Sequence, residues 1–502
     1  MSAMGIGLII FIIFFVIVGI GMVFFVRGSG KRYIVCGKSL PFFFVGTMLM
    51  AQAIDANGSI GAASMAYSYG FWAGFAFPLG VAICLVITAF VFAKPLNRMN
   101  LLTLPDFFFR RYDSKTEFTV SILMCISFVI LVAGNFSGSA WILTVVYDMD
   151  YLWALILIST LIFVYTVFGG LFSCAATDIV QIYPAMAGFV GCAIYLVYHN
   201  GWAFFNEAIP PDFLGFAGLT QLDNGALATW GAIVAVGVGD VVALDFMERV
   251  FAARDPRTAQ ISCLYASVFT LVMGVSCAVI GLMGLKLYPS IADPRMVMPL
   301  IAMEHMPFIL GLLMVAGVIG AGASTANGGI LGVATVMGRN MVQKNILRWI
   351  RESKGEKLVV EHTEEARRKF DAKLLLISRI MAIPVLIMGI WVGYVKPEPG
   401  MLLALAFDVV LAGCFMPLLL GVHWKKTNTP GAMAGIISGS LLRLYLHFTI
   451  PEHLIGLETI IAPLVSLVFT VAFSLMTQKT HAPKHHVVNE VPDDADVLAG
   501  IC

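Results

Sequence analysis

The chain has 502 residues, of which 59% are hydrophobic and 12% are charged, and its mean hydropathy is +0.91. Soluble globular proteins have about a quarter of their residues charged, so this composition excludes that class and predicts an integral membrane protein. The net charge of +1 gives no support for a nucleic-acid partner. The nine cysteines form no C-x-x-C or Cys/His cluster, so neither a zinc site nor a disulfide framework is predicted.

Apolar runs long enough to cross a bilayer predict an all-α protein with about thirteen transmembrane helices. The first run, near 4–27, is too long for a signal-peptide core and is predicted to remain as a membrane helix. The other predicted spans are 41–69, 72–95, 117–147, 150–169, 174–198, 226–248, 259–286, 307–336, 373–395, 400–422, 429–449 and 454–476.

The distribution of lysine and arginine predicts the orientation of the chain. Alternate loops are basic: 27–32, 94–115, 249–257, 339–373, 425–426 and 479–484. Basic loops face the cytoplasm, so we expect a multi-pass protein of the cell membrane with its N-terminus outside and its C-terminus inside. The long loop 337–372 mixes both charges at helical spacing, which is typical of a surface helix or a solvated connector. The polar tail 479–502 is predicted to be disordered.

Ten central spans divide into two sets of five, 39–223 and 224–424, preceded by an extra helix and link (1–38) and followed by two helices (425–478). An odd number of helices per set predicts an inverted repeat, in which the first helix of each set is often broken near a binding site. The span 41–69 contains Asp55 and Gly58, and the span 226–248 contains Gly237 and Asp240. We therefore expect Asp55 and Asp240 to lie at two such breaks.

Other polar residues inside predicted spans have two interpretations each. Asp178 is either a helix cap or a functional acid, and Asp408 is either a substrate contact or part of a structural hydrogen bond. Arg249 is expected to form a local ion pair with Asp245 and Glu248. Asn135, together with Ser137 and Ser139, is expected to serve helix packing. Arg443 is expected to reach the membrane interface.

The segment 316–329 combines five glycines with Ser324, Thr325 and Asn327 inside an apolar run. Such a stretch is typical either of close helix packing or of an ion site. A sodium site needs about five or six oxygen ligands. Carbonyl groups of a broken helix near Ala51 and Ile54, the Ala321 carbonyl and the hydroxyls of Ser324 and Thr325 would supply them.

Several motifs, in the right order along the chain, resemble those of the sodium:solute symporter family. They extend from Ser39 to the last helix. The clearest are Leu104-Pro-Asp-Phe-Phe-Phe-Arg-Arg-Tyr112, Gly169-Gly-Leu-Phe-Ser-Cys-Ala-Ala-Thr-Asp-Ile-Val-Gln181 and the Pro417, Gly421, Trp424, Gly431 series. The resemblance implies a five-plus-five inverted-repeat core of the leucine-transporter type, alternating access and sodium as the coupling ion.

The resemblance also implies roles for single residues. Ala51, Ile54, Ala321, Ser324 and Thr325 correspond to the family's sodium ligands, and Asp178 to a second cation site. If the family's hydroxyl pair were aligned one turn earlier, it would fall on Gly320 and Ala321 and the site would be abolished. The alignment on Ser324 and Thr325 is preferred, because it also places Asn340 where relatives have an aspartate. Gly58 and Phe77 replace the glutamine and glutamate of sugar carriers, which disfavours a sugar.

These observations predict a secondary active transporter, not an enzyme, that couples uptake of a small polar organic solute to sodium. Asp55, Gly58, Asp240 and Asp408 are the candidate substrate residues, and their charge favours an amino acid or another amine-bearing compound. The expected partners are the solute and membrane lipid, with no nucleic acid and no obligatory protein partner. Proton coupling through Asp55 or Asp240, or a solute-sensing role, are the alternatives.

Overall fold

The computed structural model describes residues 3–201, 209–354 and 364–484. Within these ranges the chain is helical, and an isolated bridge between Leu40 and Ala253 is the one β-type contact. The predicted disordered tail lies, from residue 485 onward, outside the described residues.

We number the long helical stretches α1 to α13 in chain order. The first six are α1 (Ala3–Val26), α2 (Phe42–Ala53 and Ala56–Tyr69), α3 (Phe71–Arg98), α4 (Ser114–Tyr147), and α5 and α6 (residues 151–169 and 171–200). The others are α7 (Ala226–Val242 and Leu244–Ala252), α8 (Pro256–Leu287), α9 (Phe308–Ile346), α10 (Glu364–Val395), α11 (Pro399–His423), α12 (Thr429–Thr449) and α13 (Leu457–Met476).

Nine helices of the described residues are long and apolar enough to cross a membrane, and α7 makes ten if its two bent halves form one span. Gly170 has φ 57° and ψ −144°, so the continuous stretch Tyr151–Asn200 bends there into α5 and α6. The predicted count of thirteen spans is reached if α5 and α6 count as two spans and if α2 and α12 also cross the bilayer. This count stays a prediction.

Both predicted breaks are present in the structure. In α2 the helix stops at Ala53 and starts again at Ala56, because Ile54 (φ −118°, ψ 84°) and Asp55 (φ −105°, ψ 174°) have non-helical backbone angles. In α7, Asp240 begins a short 3-10 turn, and the two halves of the helix differ in direction by 46°. Backbone groups at such breaks lack partners in their own helix.

Helix α9 lies at the centre of the molecule, and its residues 314–336 are all buried. Its glycines allow close approach of three other helices. A Cβ atom at Gly317 would lie 2.7 Å from Ala185 of α6, one at Gly322 would lie 2.7 Å from Ala56 of α2, and one at Gly329 would lie 2.5 Å from Val132 of α4. The small residues of the segment 316–329 therefore do serve packing.

The halves of α2 and α7 that face the predicted cytoplasmic side are joined at their ends. Leu40 N donates to Ala252 O at 3.1 Å, and Arg254 N donates to Leu40 O at 3.1 Å. Asn97, at the end of α3, donates to Val250 O (2.8 Å) and Ala253 O (3.0 Å). These bonds satisfy the last carbonyl groups of α7 and tie α2, α3 and α7 together.

Candidate functional site

The break in α2 faces the hydroxyl pair of α9. Thr325 Oγ1 donates to the backbone oxygen of Gln52 at 3.4 Å, and Gln52 Nε2 donates to the backbone oxygen of Ser324 at 2.8 Å. The other residues predicted to hold sodium, Ala51, Ile54 and Ala321, are buried. The structure thus brings together the two segments that carry the predicted sodium ligands.

The break frees oxygen atoms on the α2 side. Ile54 N makes the last regular helical bond of the first half, to Met50 O at 3.2 Å. Ala56 N, which would bond to Gln52 O in an unbroken helix, instead donates to Asn135 Oδ1 of α4 at 3.1 Å. Carbonyl groups released in this way are the type of ligand that a hard cation prefers.

Asp178 lies beside the hydroxyl pair and does not cap a helix. It is eight residues beyond the Gly170 bend, and its Oδ1 accepts a hydrogen bond from Ser324 Oγ at 2.6 Å. Its Oδ2 lies 3.9 Å from Arg249 Nη2 and has no hydrogen-bond partner among the described residues. Arg249 therefore pairs with Asp178 rather than with the neighbouring acids predicted from the sequence, while its Nη1 donates to Asp245 O at 2.8 Å.

Asp55 caps the second half of α2. Its carboxylate accepts from Gly58 N (2.5 Å), Asn57 Nδ2 (2.9 Å) and Asn135 Nδ2 (2.9 Å). Asn135 therefore holds the start of the second half of α2 at two points, because its Nδ2 donates to Asp55 and its Oδ1 accepts from Ala56 N. The packing role expected for Asn135 was too narrow.

A small cavity opens beside Asp55. Its volume is about 20 Å³, room for roughly one water-sized group. The lining comes from α2, α3, α8 and α11: Ala53, Ile54, Asp55, Gly58, Ser59, Phe77, Pro78, Val81, Thr270, Met273, Gly274, Cys277 and Leu403. Asp55 is the charged group in an otherwise mostly apolar wall, and Gly58, another candidate substrate residue, also lies in this wall.

Asp240 lies at the α7 break and is buried, but it does not line this cavity. Its carboxyl group interacts electrostatically with those of Asp55 and Asp245. Within the described residues, neither Asp55 nor Asp240 forms an ion pair with lysine or arginine. Each break therefore carries a buried acid that has no lysine or arginine partner among the described residues.

The side chain of Asp408 binds to α12 and α13 instead of the cavity wall. Its Oδ2 accepts from Arg443 Nε at 2.5 Å and from Thr459 Oγ1 at 3.1 Å, on α12 and α13. The Arg443 side chain, which is expected from the sequence to reach the membrane interface, is 11% exposed and binds Asp408 between helices. Of the two roles predicted for Asp408, its contacts match the structural hydrogen bond.

Sequence reasoning did not single out Gln52, which connects α2 to Ser324. A signal was available, because a carboxamide inside an apolar span is rare and lies next to the predicted ligand Ala51. The contact between Asn135 and the α2 break had no such signal, since the two residues are 79 to 80 positions apart in the chain.

Two broken helices, one of which lines a small cavity with its break, in an all-helical membrane protein are typical of secondary transporters with alternating access. A family model described as the sodium:solute symporter family matches residues 33–439. The chain belongs to this family, and it is a sodium-coupled symporter rather than an enzyme.

Relatives and solved structures agree with this assignment. The human "High affinity choline transporter 1" is 23% identical over 474 residues, covering 88% of this chain and 76% of the relative. The "Sodium/proline symporter" of Staphylococcus aureus is 23% identical over 513 residues, covering 97% of this chain and 95% of the relative.

The structure of a Na+-coupled sialic acid symporter superposes with a TM-score of 0.73 at 15% identity, over 95% of this chain and 98% of that one. A nucleobase-cation-symport-1 family transporter gives a TM-score of 0.54 at 12% identity, over 92% and 97%. At these identities the similarity establishes the fold.

Proposed function

We propose that this symporter takes up a small amine-bearing solute through the cavity beside Asp55, together with sodium held between α2 and α9. The observation that carries the proposal is the Asp55 carboxylate, which three N–H donors fix in the wall of the cavity. Hydrogen bonds to an acid and the start of a helix both stabilise a negative charge. A positively charged nitrogen is the complementary group.

The rest of the wall has side chains suited to an ammonium group with apolar substituents, and the cavity of about 20 Å³ must widen before such a solute enters. Phe77 contributes an aromatic ring, and the face of an aromatic ring attracts cations such as quaternary ammonium groups. Met273, Val81 and Leu403 supply apolar surface. Asp240 adds a second acid nearby, and no described lysine or arginine lines the cavity.

Two relatives carry names that suit this chemistry. Choline contains a quaternary ammonium group, and proline contains a secondary ammonium group. We propose an amine of this kind as the solute of the present chain. A sugar is disfavoured, because Gly58 and Phe77 offer no carboxamide or carboxylate to its hydroxyl groups.

Sodium is proposed to bind to the carbonyl oxygens of Ala51, Ile54 and Ala321 and to the hydroxyls of Ser324 and Thr325. An ion at this position connects the break in α2 to α9, so it stabilises the arrangement of α2 that forms the cavity wall. Ion and solute then favour the same conformation, which is the requirement for coupling. One sodium ion crossing 100 mV contributes about 2.3 kcal/mol before any concentration gradient is counted.

Asp178 is proposed as a second cation site. Its buried Oδ2 has no hydrogen-bond partner among the described residues, and its Oδ1 already bonds to Ser324. A cation there would share the Ser324 hydroxyl with the first site. Arg249 at 3.9 Å would compete with it.

The hydroxyl pair gives the first test. Proteoliposomes containing the Ser324→Ala, Thr325→Ala double variant should need about tenfold or more sodium for half-maximal uptake, since each 1.4 kcal/mol of lost binding is a factor of ten. Ser438→Ala is the matched control, because that hydroxyl bonds to Gly435 O of its own helix α12. Unchanged sodium dependence in the double variant would contradict the proposed ligand set.

The solute class is tested in the same vesicles with imposed gradients. Radiolabelled choline and proline serve as amine probes, and glucose and acetate serve as neutral and anionic probes. We expect sodium-driven uptake of at least one amine and none of glucose or acetate. Uptake driven equally well by a proton gradient without sodium would support the alternative of proton coupling through Asp55 or Asp240. Transport of acetate alone would refute the amine proposal.

A further inference from the structure

A charged cluster connects α11, α12 and α13 at a distance from the cavity. Arg443 of α12 contacts Asp408 of α11 through both Nε and Nη2, and its Nη2 lies 3.8 Å from Glu458 Oε1 of α13. The three side chains are 11%, 6% and 8% exposed. We call these residues the Arg443 cluster. Charges buried in membrane-spanning helices are costly, and they are usually retained for a function.

Close backbone contact reinforces the junction between α11 and α12. A Cβ atom at Gly439 would overlap the carbonyl oxygen of Ala412, and one at Gly413 would overlap Ser440 Oγ. Glycine contacts of this kind let two helices approach through their backbones. In addition, Thr459 of α13 donates to Asp408 Oδ2 at 3.1 Å, so the last two helices both hold the same carboxylate.

The same part of α11 contacts both broken helices. Leu403 lines the cavity, and the Cα atom of Gly400 would lie 2.9 Å from a Cβ at Gly61 in the second half of α2. The carbonyl oxygen of Phe407, the residue before Asp408, would lie 2.5 Å from a Cβ at Gly239, directly before the α7 break. Any displacement of α11 must therefore change the cavity and its closure by α2.

From this geometry we infer that Arg443 is a positioning residue of the transport cycle. By holding Asp408 and Glu458 together, it fixes α11 to the α12–α13 pair and keeps the contact between Gly400 and Gly61 closed over the cavity. Opening the cavity on that side requires α11 to move relative to α12. This inference concerns closure and is independent of the solute carried.

An ion pair suits this task because it has two distinct states. If Arg443 withdraws, two buried carboxylates lose their counter-ion, which is strongly unfavourable unless water reaches them. A partly opened junction is therefore disfavoured, and α11 is either held or released. An apolar contact of the same area would weaken gradually as the two helices separate.

The test measures access to the cavity rather than transport. A cysteine is placed at Leu403→Cys in the full-length protein in proteoliposomes, and its reaction with a membrane-impermeant thiol reagent is timed. The parent protein sets the background, since the eight described cysteines are buried. We expect Arg443→Gln to accelerate labelling by about tenfold from the side on which Gly400 of α11 meets Gly61 of α2. The reason is that loss of the ion pair shifts the equilibrium toward the conformation in which the cavity is open on that side. Arg443→Lys should restore most of the wild-type rate.

Two further variants separate positioning from a general loss of structure. The triple variant Asp408→Asn, Arg443→Gln, Glu458→Gln removes every charge of the cluster without leaving one unpaired, and it should also label faster. Arg254→Gln is the matched control, because that side chain is 61% exposed beside Asp255, and it should label at the parent rate. Wild-type labelling rates in the triple variant, or equal acceleration by Arg254→Gln, would overturn the inference.

Discussion

The Asp55 carboxylate caps a helix and, in the proposed function, also attracts the solute, and these two roles depend on different properties of the side chain. Capping the second half of α2 requires an oxygen that accepts from Gly58 N, which asparagine also provides. Attraction of a cationic solute requires the negative charge. The two purposes can therefore be separated by substitution at this one position.

Asp55→Asn should keep the cap and lose the charge, whereas Asp55→Ala should lose both. We expect the alanine variant to unfold about 1 kcal/mol more easily than wild type, the typical cost of a lost cap. Both variants should lose amine binding. Thermal unfolding in detergent and binding isotherms for choline and proline measure the two effects. Amine binding retained by Asp55→Asn would show that the charge is not used.

Lys38 is a half-buried residue outside the membrane-spanning helices, and its Nζ atom is enclosed by the protein. Its Nζ has no hydrogen-bond partner among the described residues. Burial, with the nearby charges of Lys31 and Arg110, lowers the pKa of Lys38 to about 7, although Asp106 acts in the opposite direction. The folded protein thus binds this proton more weakly than the unfolded chain does.

A lowered lysine pKa makes the folded state more stable as the pH rises from about 7 toward the ordinary lysine value, because the unfolded chain keeps its proton over that range. The free energy of unfolding should therefore rise between pH 7 and pH 9 by at most about 1.4 kcal/mol per pH unit for one group, and the melting temperature should rise with it. Lys38→Met should flatten this part of the pH profile. Lys425→Met, at an exposed position, is the control and should leave the slope unchanged.

At the scale of helices, the bend between α5 and α6 depends on Gly170. Its φ of 57° with ψ of −144° belongs to a region that only glycine adopts readily, and a Cβ atom there would lie 2.5 Å from Tyr33 O. The backbone conformation of the bend thus explains why the motif has glycine at position 170.

Gly170→Ala should destabilise the protein by at least about 2 kcal/mol, from backbone strain and the clash with Tyr33 together. Gly21→Ala is the matched control, because a Cβ at that glycine would meet no atom within 4 Å. Folded yield and melting temperature after purification distinguish the two. Equal yields and melting temperatures for the two variants would mean that Tyr33 and the bend can accommodate the methyl group of alanine at position 170.

The end of α9 shows where the sequence was insufficient. Charges at helical spacing in 337–372 suggested a solvated segment, yet α9 continues to Ile346 and Lys344 is buried between Asp106 (2.9 Å) and Glu117 (2.6 Å). Asn340 donates to the same two acids. Although burial acts to raise the pKa of Asp106, Arg339 and Lys344 hold it well below its usual range. A solvated and a buried charge pattern look alike when the partners are more than 200 residues away.

At the scale of the molecule, the features that repeat along the chain were predictable and those that join distant segments were not. Hydropathy gave the helices, and glycine next to aspartate located the breaks near Asp55 and Asp240. The motif match located the face of α9 that meets α2. The pairing of Asp178 with Arg249 and of Asp408 with Arg443 depends on how helices pack, which a single sequence does not record.

Orientation in the membrane is a prediction for the whole chain, and α11 offers a compact test. Glu398 precedes this helix and Lys425 follows it, and both are exposed. In intact cells, Glu398→Cys should react with an impermeant thiol reagent and Lys425→Cys should react only after lysis, because basic loops stay in the cytoplasm. The reverse pattern would invert the proposed topology.

The pair of backbone bonds between Leu40 and the segment 252–254 has a consequence for energy efficiency. The half of α2 before its break and the half of α7 after its break are fastened at their ends, so we expect them to move together. With sodium at the proposed site, a conformation that released the ion while the solute compartment stayed shut would have to break both bonds, at a net cost of about 1 kcal/mol each. We therefore expect these main-chain bonds, which side-chain mutation cannot easily remove, to reduce the uncoupled sodium leak that dissipates the gradient without moving cargo.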